Sequence, residues 1–296
     1  MNENQIGNIS IDFEESASTS ESCIPRIKPR QLRWQEEAAF FDNVASRTAA
    51  QALAIDPLAL RRYSASKLRR RFNKEFRFSL MGPLKGKRIL DVGCGEGVNA
   101  VMLAMMGASV TGIDISAKAI EVAQRRAEHN NVAHRVQFIC SPIETAPLTD
   151  QSFDIIWGDG ILHHVLDDLE PILQHLWRSL KPDGCFLFAE PVNLCQPLRQ
   201  LRKVVPVRTD CTPGERPLVS SELDLVGKYA EESHKRYYGL FGRLDQFILS
   251  SFNYERSSPL QRFIVNCIDL VDYTLLSMPI FQRLASTCVI YGKPKH

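Results

Sequence analysis

The sequence predicts an α/β fold, a mostly parallel sheet with helices on both faces, with N-terminal helices before it and a C-terminal helical insertion near its end. Three observations lead there. Between residues 88 and 190, short apolar runs of strand length alternate with helical periodicity. One of those runs ends in Gly93-Cys94-Gly95-Glu96-Gly97, three glycines on alternate positions directly before a helix. Beyond Pro191 the alternation stops, first for a Pro-rich stretch and then for a long apolar helical one.

Taken in order, residues 1–30 are polar, Ser- and Glu-rich and aperiodic, and read as a disordered tail. A helical cap follows over 31–84. In it Ser66 caps a helix with Leu68, Phe72, Phe76 and Leu80 on one side. The other side, with Arg69, Arg70, Arg71, Lys74 and Arg77, reads as a solvated face over the sheet edge. The core spans 85–192. Its strands are Arg88–Val92, Ser109–Ile113, Val136–Cys140, Phe153–Trp157 and Cys185–Ala189, the last after a turn at Lys181–Gly184. Its helices are Val98–Met106, stopped by Gly107, Ala117–His129, capped by Ser116, and one with Leu169, Ile172, Leu173, Leu176 and Leu180 on one side. The segment 193–296 supplies substrate lid segments and two last strands, at 235–240 and 286–292. Between these, residues 244–284 are expected to form two or three apolar helices, broken near Pro259 and at Pro279. Asp245, Glu255, Arg256, Asp269 and Asp272 are expected to give them a polar outer side, and their apolar side a wall for a substrate.

Composition narrows the partners. Lys plus Arg is 36 and Asp plus Glu is 34, so bulk charge gives no reason to expect nucleic acid. The eight cysteines form no CxxC or Cys/His ligand spacing, so no metal site is expected, and several lie in apolar runs, as reduced cysteines of a cytoplasmic protein do. No signal peptide and no transmembrane segment is expected, while the basic helix leaves peripheral membrane contact open.

The glycine loop carries the chemistry. It lies where a parallel strand ends and a helix begins, so its amides can receive a polar ligand group. Asp114 ends the second strand, 21 residues after Gly93, where a carboxylate can accept both hydroxyls of a ribose. A nucleoside cofactor follows. A dinucleotide fingerprint would need glycine where Val98 stands, and Asp91, two residues before Gly93, would oppose a pyrophosphate. A carboxylate suits a ligand with an ammonium and a sulfonium, and S-adenosyl-L-methionine has both.

With I-L-D-V-G-C-G-E-G at 89–97, V-T-G-I-D-I-S at 110–116, F-D-I-I-W-G-D-G-I-L-H-H-V at 153–165 and L-K-P-D-G-C-F-L-F-A-E-P at 180–191, the chain resembles the class I, Rossmann-like, seven-stranded S-adenosylmethionine-dependent methyltransferases. It is more similar to the branch acting on small molecules, because no Asn/Asp-Pro-Pro-aromatic tetrad follows the fourth strand. The resemblance implies strand order 3-2-1-4-5-7-6 with one antiparallel strand. It also implies roles. Asp91, Gly93, Cys94 and Gly95 would line the methionine half of the cofactor, Asp114 the ribose, and Ile115 the adenine. Ser141-Pro142-Ile143 falls where the family often has an Asp-Ala pair at the adenine edge, and here that aspartate is missing. Gly158 and Asp159 match the loop whose backbone meets the methionine ammonium.

His163 and His164 follow the fourth strand at the mouth of the site, and are read either as packed residues or as a general base for a hydroxyl acceptor, with His163 the preferred base. The expected activity is O-methylation of an apolar or aromatic small molecule by in-line transfer. N- or C-methylation of an amine, lipid or protein side chain stays open, as does a non-catalytic regulatory protein on the same fold.

Overall fold

The structure, a computed structural model, describes residues 30–47, 53–198, 200, 215–249 and 254–295. The tail expected over 1–30 lies, apart from Arg30, outside the described residues. Seven strands form one sheet: β1 (Arg88–Val92), β2 (Ser109–Asp114), β3 (Val136–Cys140), β4 (Phe153–Asp159), β5 (Leu180–Pro191), β6 (Ala230–Tyr238) and β7 (Thr287–Pro294). Their order is 3-2-1-4-5-7-6, as expected, with β7 antiparallel to both β5 and β6. The chain leaves β1 toward β2 on one side and comes back through β4 on the other, so a crevice opens at the carboxyl ends of β1 and β4.

Alternation along the central strands sorts side chains into two cores. Leu90, Val92, Ile113, Ile156, Phe186 and Phe188 pack on the face that carries helix α6 (Leu169–Ser179). Ile89, Val110, Ile155, Trp157 and Leu187 pack on the face of helix α4 (Val98–Met105). The period of two is what a sheet covered on both faces imposes on its strands. Helix α5 (Ala117–His129) starts where the Ser116 hydroxyl accepts from the Ala119 amide at 3.0 Å. Helix α7 (Ser220–Lys228) starts where the Glu222 side chain accepts from the Val219 amide at 2.7 Å. β5 is longer than expected. It begins at Leu180 and runs straight through the anticipated turn, with a register shift opposite Phe153 and Ile155.

The N-terminal cap departs from the periodicity. It holds α1 (Arg30–Ala45), α2 (Pro57–Tyr63) and α3 (Asn73–Met81), and α3 starts six residues later than the Ser66 cap implied. The reason is Glu75, whose side chain is buried. It accepts from the Arg69 amide at 2.8 Å and takes the guanidinium groups of Arg69 and Arg62. Meeting that carboxylate draws 64–72 out of helical geometry. The basic side is therefore no solvated face. Arg77 is fully buried, with its guanidinium 4.1 Å from the Trp157 ring centre, and donates to Gly158 O at 3.1 Å and Asp159 at 2.7 Å.

Among the described residues between β6 and β7, three α-helices form: α8 (Asp245–Ile248), α9 (Pro259–Leu275) and α10 (Pro279–Gln282). Ser258 caps α9 by accepting from the Gln261 amide at 3.2 Å, and prolines open α9 and α10. The polar side of α9 does not face outward as expected, and its inner side mixes Val265 with polar groups. Asn266 and Asp272 point inward, where Asn266 accepts from Arg69 and Arg71 at 3.1 Å and Asp272 from the Phe241 amide at 2.9 Å.

Gly97 shows why the loop into α4 is glycine. Its φ is +76°, and a Cβ there would stand 2.7 Å from the Ala123 Cβ on α5. Gly97→Ala should cost about 2–4 kcal/mol, left-handed strain plus overpacking, in urea unfolding. Gly86→Ala, at φ +78° with nothing within 4 Å, should lose only the strain, about 1–2 kcal/mol. Equal losses would show that the α4–α5 contact yields freely.

Candidate active site

A cavity of about 250 Å³ lies over the carboxyl ends of β1 to β4. The floor is Gly93 and Gly95 after β1, Asp114 and Ile115 after β2, and Ser141, Pro142 and Ile143 after β3. The far wall is Asp159, Gly160, Ile161, His164 and Val165 after β4. The roof is α1, through Glu37, Phe41, Val44 and Ala45. Both ends of the roof are tied down. Arg33 donates to Glu144 at 3.0 Å and Asp168 at 2.6 Å, and Trp34 Nε1 to Glu144 at 3.0 Å. At the other end Asp42 accepts from Ser116 Oγ at 2.5 Å and the Lys118 amide at 2.9 Å, adding to the cap of α5.

Carboxylates ring the floor, each handled differently. Asp114 accepts from the Gly95 amide at 2.8 Å and the Ser116 amide at 2.9 Å, which fixes the glycine loop to the end of β2. A carboxylate has about four lone-pair sites, so acceptor capacity remains for a ligand's hydroxyls. Burial raises the Asp114 carboxyl above its ordinary value while those amides hold it down. Asp159 is paired with Arg77 and accepts from Asn99 Nδ2 at 3.2 Å; burial opposes its charge, but these partners keep it below the ordinary range. Asp91 is fully buried, with Oδ2 unpartnered among the described residues. Burial first, then the charge of Asp159, pushes its carboxyl up to about 8.

The two histidines part company. His163 Nδ1 lies 3.0 Å from Glu190, and Glu190, wholly buried at the end of β5, also accepts from the Ile161 and Leu162 amides at 2.9 Å. His163 is thereby committed to holding the loop after β4. His164 is the one on the cavity wall. Its Nδ1 lies 2.9 Å from Glu215 Oε1, and its ring stands edge-on to Phe41, centres 5.4 Å apart. His163, the base preferred from the sequence, does not line the cavity, and its Nδ1 faces Glu190. Although His163, His164 and Glu215 bring three potential ligand atoms within 4.8 Å of one another, Nδ1 of each histidine already faces a carboxylate.

Of the residues singled out in the sequence, the cavity wall thus gathers Gly93, Gly95, Asp114, Ile115, Ser141, Pro142, Ile143, Asp159 and His164. Asp91, Cys94 and Gly158 lie off the wall. Cys94 is buried against Gly112, and a Cβ on Gly158 would meet the Phe188 ring at 2.4 Å. Glu144, which the sequence offers in place of the missing aspartate, is on the wall too, while Glu37, Phe41 and Glu215 were not anticipated. Phe40-Phe41 and Val44-Ala45, at helical spacing in a polar stretch, are the signal that marks the buried side of α1.

These residues fit S-adenosylmethionine. A Cβ on Gly95 would meet nothing within 4 Å, so the loop offers an open cradle. Asp114 would take the ribose, Ile115, Pro142 and Ile143 offer apolar surface to a base, and the orphaned Asp91 oxygen suits a cation nearby. The last point carries a pH signature. A carboxyl with a folded pKa raised to about 8 stabilises the native state fully below about pH 4, and that contribution is lost as pH rises through about 8. Glu37, pushed by burial up to about 7, acts in the same sense. The thermal midpoint of the free protein should therefore carry a downward contribution between about pH 4 and 8 that levels off above 8 and is smaller in Asp91→Asn, as followed by scanning fluorimetry. Parallel slopes in the two proteins would mean that Asp91 is ionised at neutral pH.

The sequence profile of a methyltransferase-domain family matches residues 83–233, about half of the chain. The mitochondrial ubiquinone biosynthesis O-methyltransferase of Rattus norvegicus is 40% identical over 116 residues, 38% of this chain and 33% of that protein. Its counterpart in Coxiella burnetii (strain Dugway 5J108-111) is 39% identical over 106 residues, 36% of this chain and 44% of that one. The matched region thus spans well under half the length of these curated relatives. Among solved structures, the geranyl diphosphate C-methyltransferase of Streptomyces coelicolor A3(2) superimposes with a TM-score of 0.53 at 14% identity, over 90% of this chain and 100% of that one, a likeness of fold. The glycine loop, the sheet order and the matched profile agree: the chain belongs to the methyltransferase-domain family and is a class I, S-adenosylmethionine-dependent methyltransferase.

Proposed function

We propose that this enzyme methylates a hydroxyl oxygen of an apolar small molecule, with His164 as general base. The observation that carries the reading is His164 on the cavity wall with Nδ1 2.9 Å from Glu215 Oε1. The Glu215 carboxylate beside the ring stabilises by its charge the imidazolium that forms when His164 takes a hydroxyl proton, although Nδ1 itself has no aligned hydrogen-bond acceptor among the described residues. Bound S-adenosylmethionine supplies a methyl group on a positively charged sulfonium, ready for displacement. The chain supplies alignment, dryness and a base. Phe41 and Val44 above, with Ile161 and Val165 beside, give an acceptor an apolar lining. As the O–C bond forms and the C–S bond breaks, the hydroxyl proton passes to His164. Glu37 on the roof, its carboxyl pushed up to about 7 by burial against the opposing charge of His164, adds an acid group to the same cavity. The names of the two curated relatives, both O-methyltransferases, point the same way for the cofactor core that they share with this chain.

The test is release of S-adenosylhomocysteine with a panel of hydroxylated aromatic and aliphatic acceptors beside amine analogues. His164→Ala should lower turnover by about 10²–10⁴ at saturating cofactor and remove the limb of the pH–rate profile that rises with pH. Cofactor affinity should change by no more than a few-fold. His163→Ala should act mainly through stability. Full turnover in His164→Ala, or turnover of the amines alone, would overturn the reading.

A further inference from the structure

Helix α9 turns apolar side chains outward. Its outward stripe is Leu260, Phe263, Ile264, Cys267, Leu270 and Val271, at three- and four-residue spacing, with Leu260 68% and Phe263 65% exposed. Asn266 and Asp272 occupy the inner side. The short helices on either side leave Phe247 74% and Ile280 78% exposed. Single exposed apolar residues need no explanation, but a full helical stripe does. None of the described residues between 244 and 284 lines the cofactor cavity, so the stripe is not the wall expected of a lid.

Charge indicates what covers it. A groove of about 680 Å³ beside the start of α9 is lined by Arg61, Lys67, Arg262 and Phe263, and the two acids in its lining, Glu75 and Glu255, are already paired with Arg62 and Arg69. Arg61 and Lys67 are exposed and form no ion pair among the described residues. Among the described residues from 254 to 285, the exposed charged side chains are Arg256 and Arg283, while Glu255, Asp269 and Asp272 are buried or half-buried. The acids are turned in and the cations out. We propose that this face docks on an anionic phospholipid bilayer, with α9 lying in the interface, its stripe among the acyl chains and the basic groove against lipid phosphates. No helix among the described residues is long and apolar enough to cross a membrane, and the 17 residues of α9 suit lying along one. A second copy of the chain fits less well. Two-fold pairing of this face would bring like charges together with no exposed acid on it to meet them. The proposal is independent of which acceptor is methylated.

The experiment is co-sedimentation of the full chain with vesicles of phosphatidylcholine alone, or with about 30% phosphatidylglycerol. Binding should require the anionic lipid and weaken as salt rises. Phe263→Glu with Leu270→Glu should lower partitioning about tenfold or more, and Arg61→Glu with Lys67→Glu should abolish the preference for anionic lipid. Both variants should bind S-adenosylmethionine as the wild type does, which shows that they fold. Absence of binding to anionic vesicles would overturn the proposal, as would undiminished binding by both variants. A wild-type dimer that Phe263→Glu dissociates, without vesicle binding, would assign the face to a second copy instead.

Discussion

Four carboxyl groups at the carboxyl ends of neighbouring strands set the terms for what is built around them. Asp91 lies near the end of β1, Asp114 ends β2, Asp159 ends β4 and Glu190 lies near the end of β5. Asp91 and Glu190 are buried, Asp114 is half-buried and Asp159 stays partly open to the cavity. A buried carboxylate without partners costs several kcal/mol or holds on to its proton. Asp114 and Glu190 are met by backbone amides, which pins the two loops that floor and wall the cavity. Asp159 is met by Arg77 from the cap. Asp91 is left without enough compensation and stays protonated near neutrality. The cations near the site, Arg77 and Arg33, are spent on the protein's own carboxylates. A site built this way favours a cationic ligand over a phosphate-bearing one, which is the discrimination that the glycine loop alone would not make.

The cap follows from the same constraint. Its helices add no strand to the sheet. What they bring is cover and cations: Arg77 beneath Asp159, and Arg33 across Glu144 and Asp168 at the cavity rim. Glu75 in turn gathers Arg62 and Arg69, so the basic run of the cap is spent mostly on internal pairs. Such pairs contribute little net stability against well-packed apolar groups, yet they fix geometry, since removing one member strands the other. Here that geometry sets the height of α1 over the cofactor floor.

The sheet was legible because its evidence is local. Apolar runs of strand length, the Ser116 cap and the glycines are written in neighbouring residues, and strand order came with the resemblance. The floor residues were legible for the same reason, since Gly93, Gly95 and Asp114 lie at strand ends. What escaped is set by partners far along the chain. Nothing near Ser66 announces that Glu75 will bend 64–72, and nothing near His163 announces Glu190, 27 residues on. Glu215, which faces His164, comes from a stretch with no periodicity at all. Charge type was readable from the sequence, but charge direction was not.

Helix α9 shows what direction does. An amphipathic pattern says that two sides differ, not which one faces the core. The choice was made by the cap: Arg69 and Arg71 need acceptors, and Asn266 provides one for both. The turn after β6 needs an acceptor too, and Asp272 meets the Phe241 amide. An unmet buried polar group costs about 1–3 kcal/mol, comparable with what one buried Leu or Phe contributes. Several such groups on one side can therefore outweigh an apolar stripe and turn it to the outside. The arginines that leave the cap for internal partners thus also decide that α9 shows its apolar side to the surroundings.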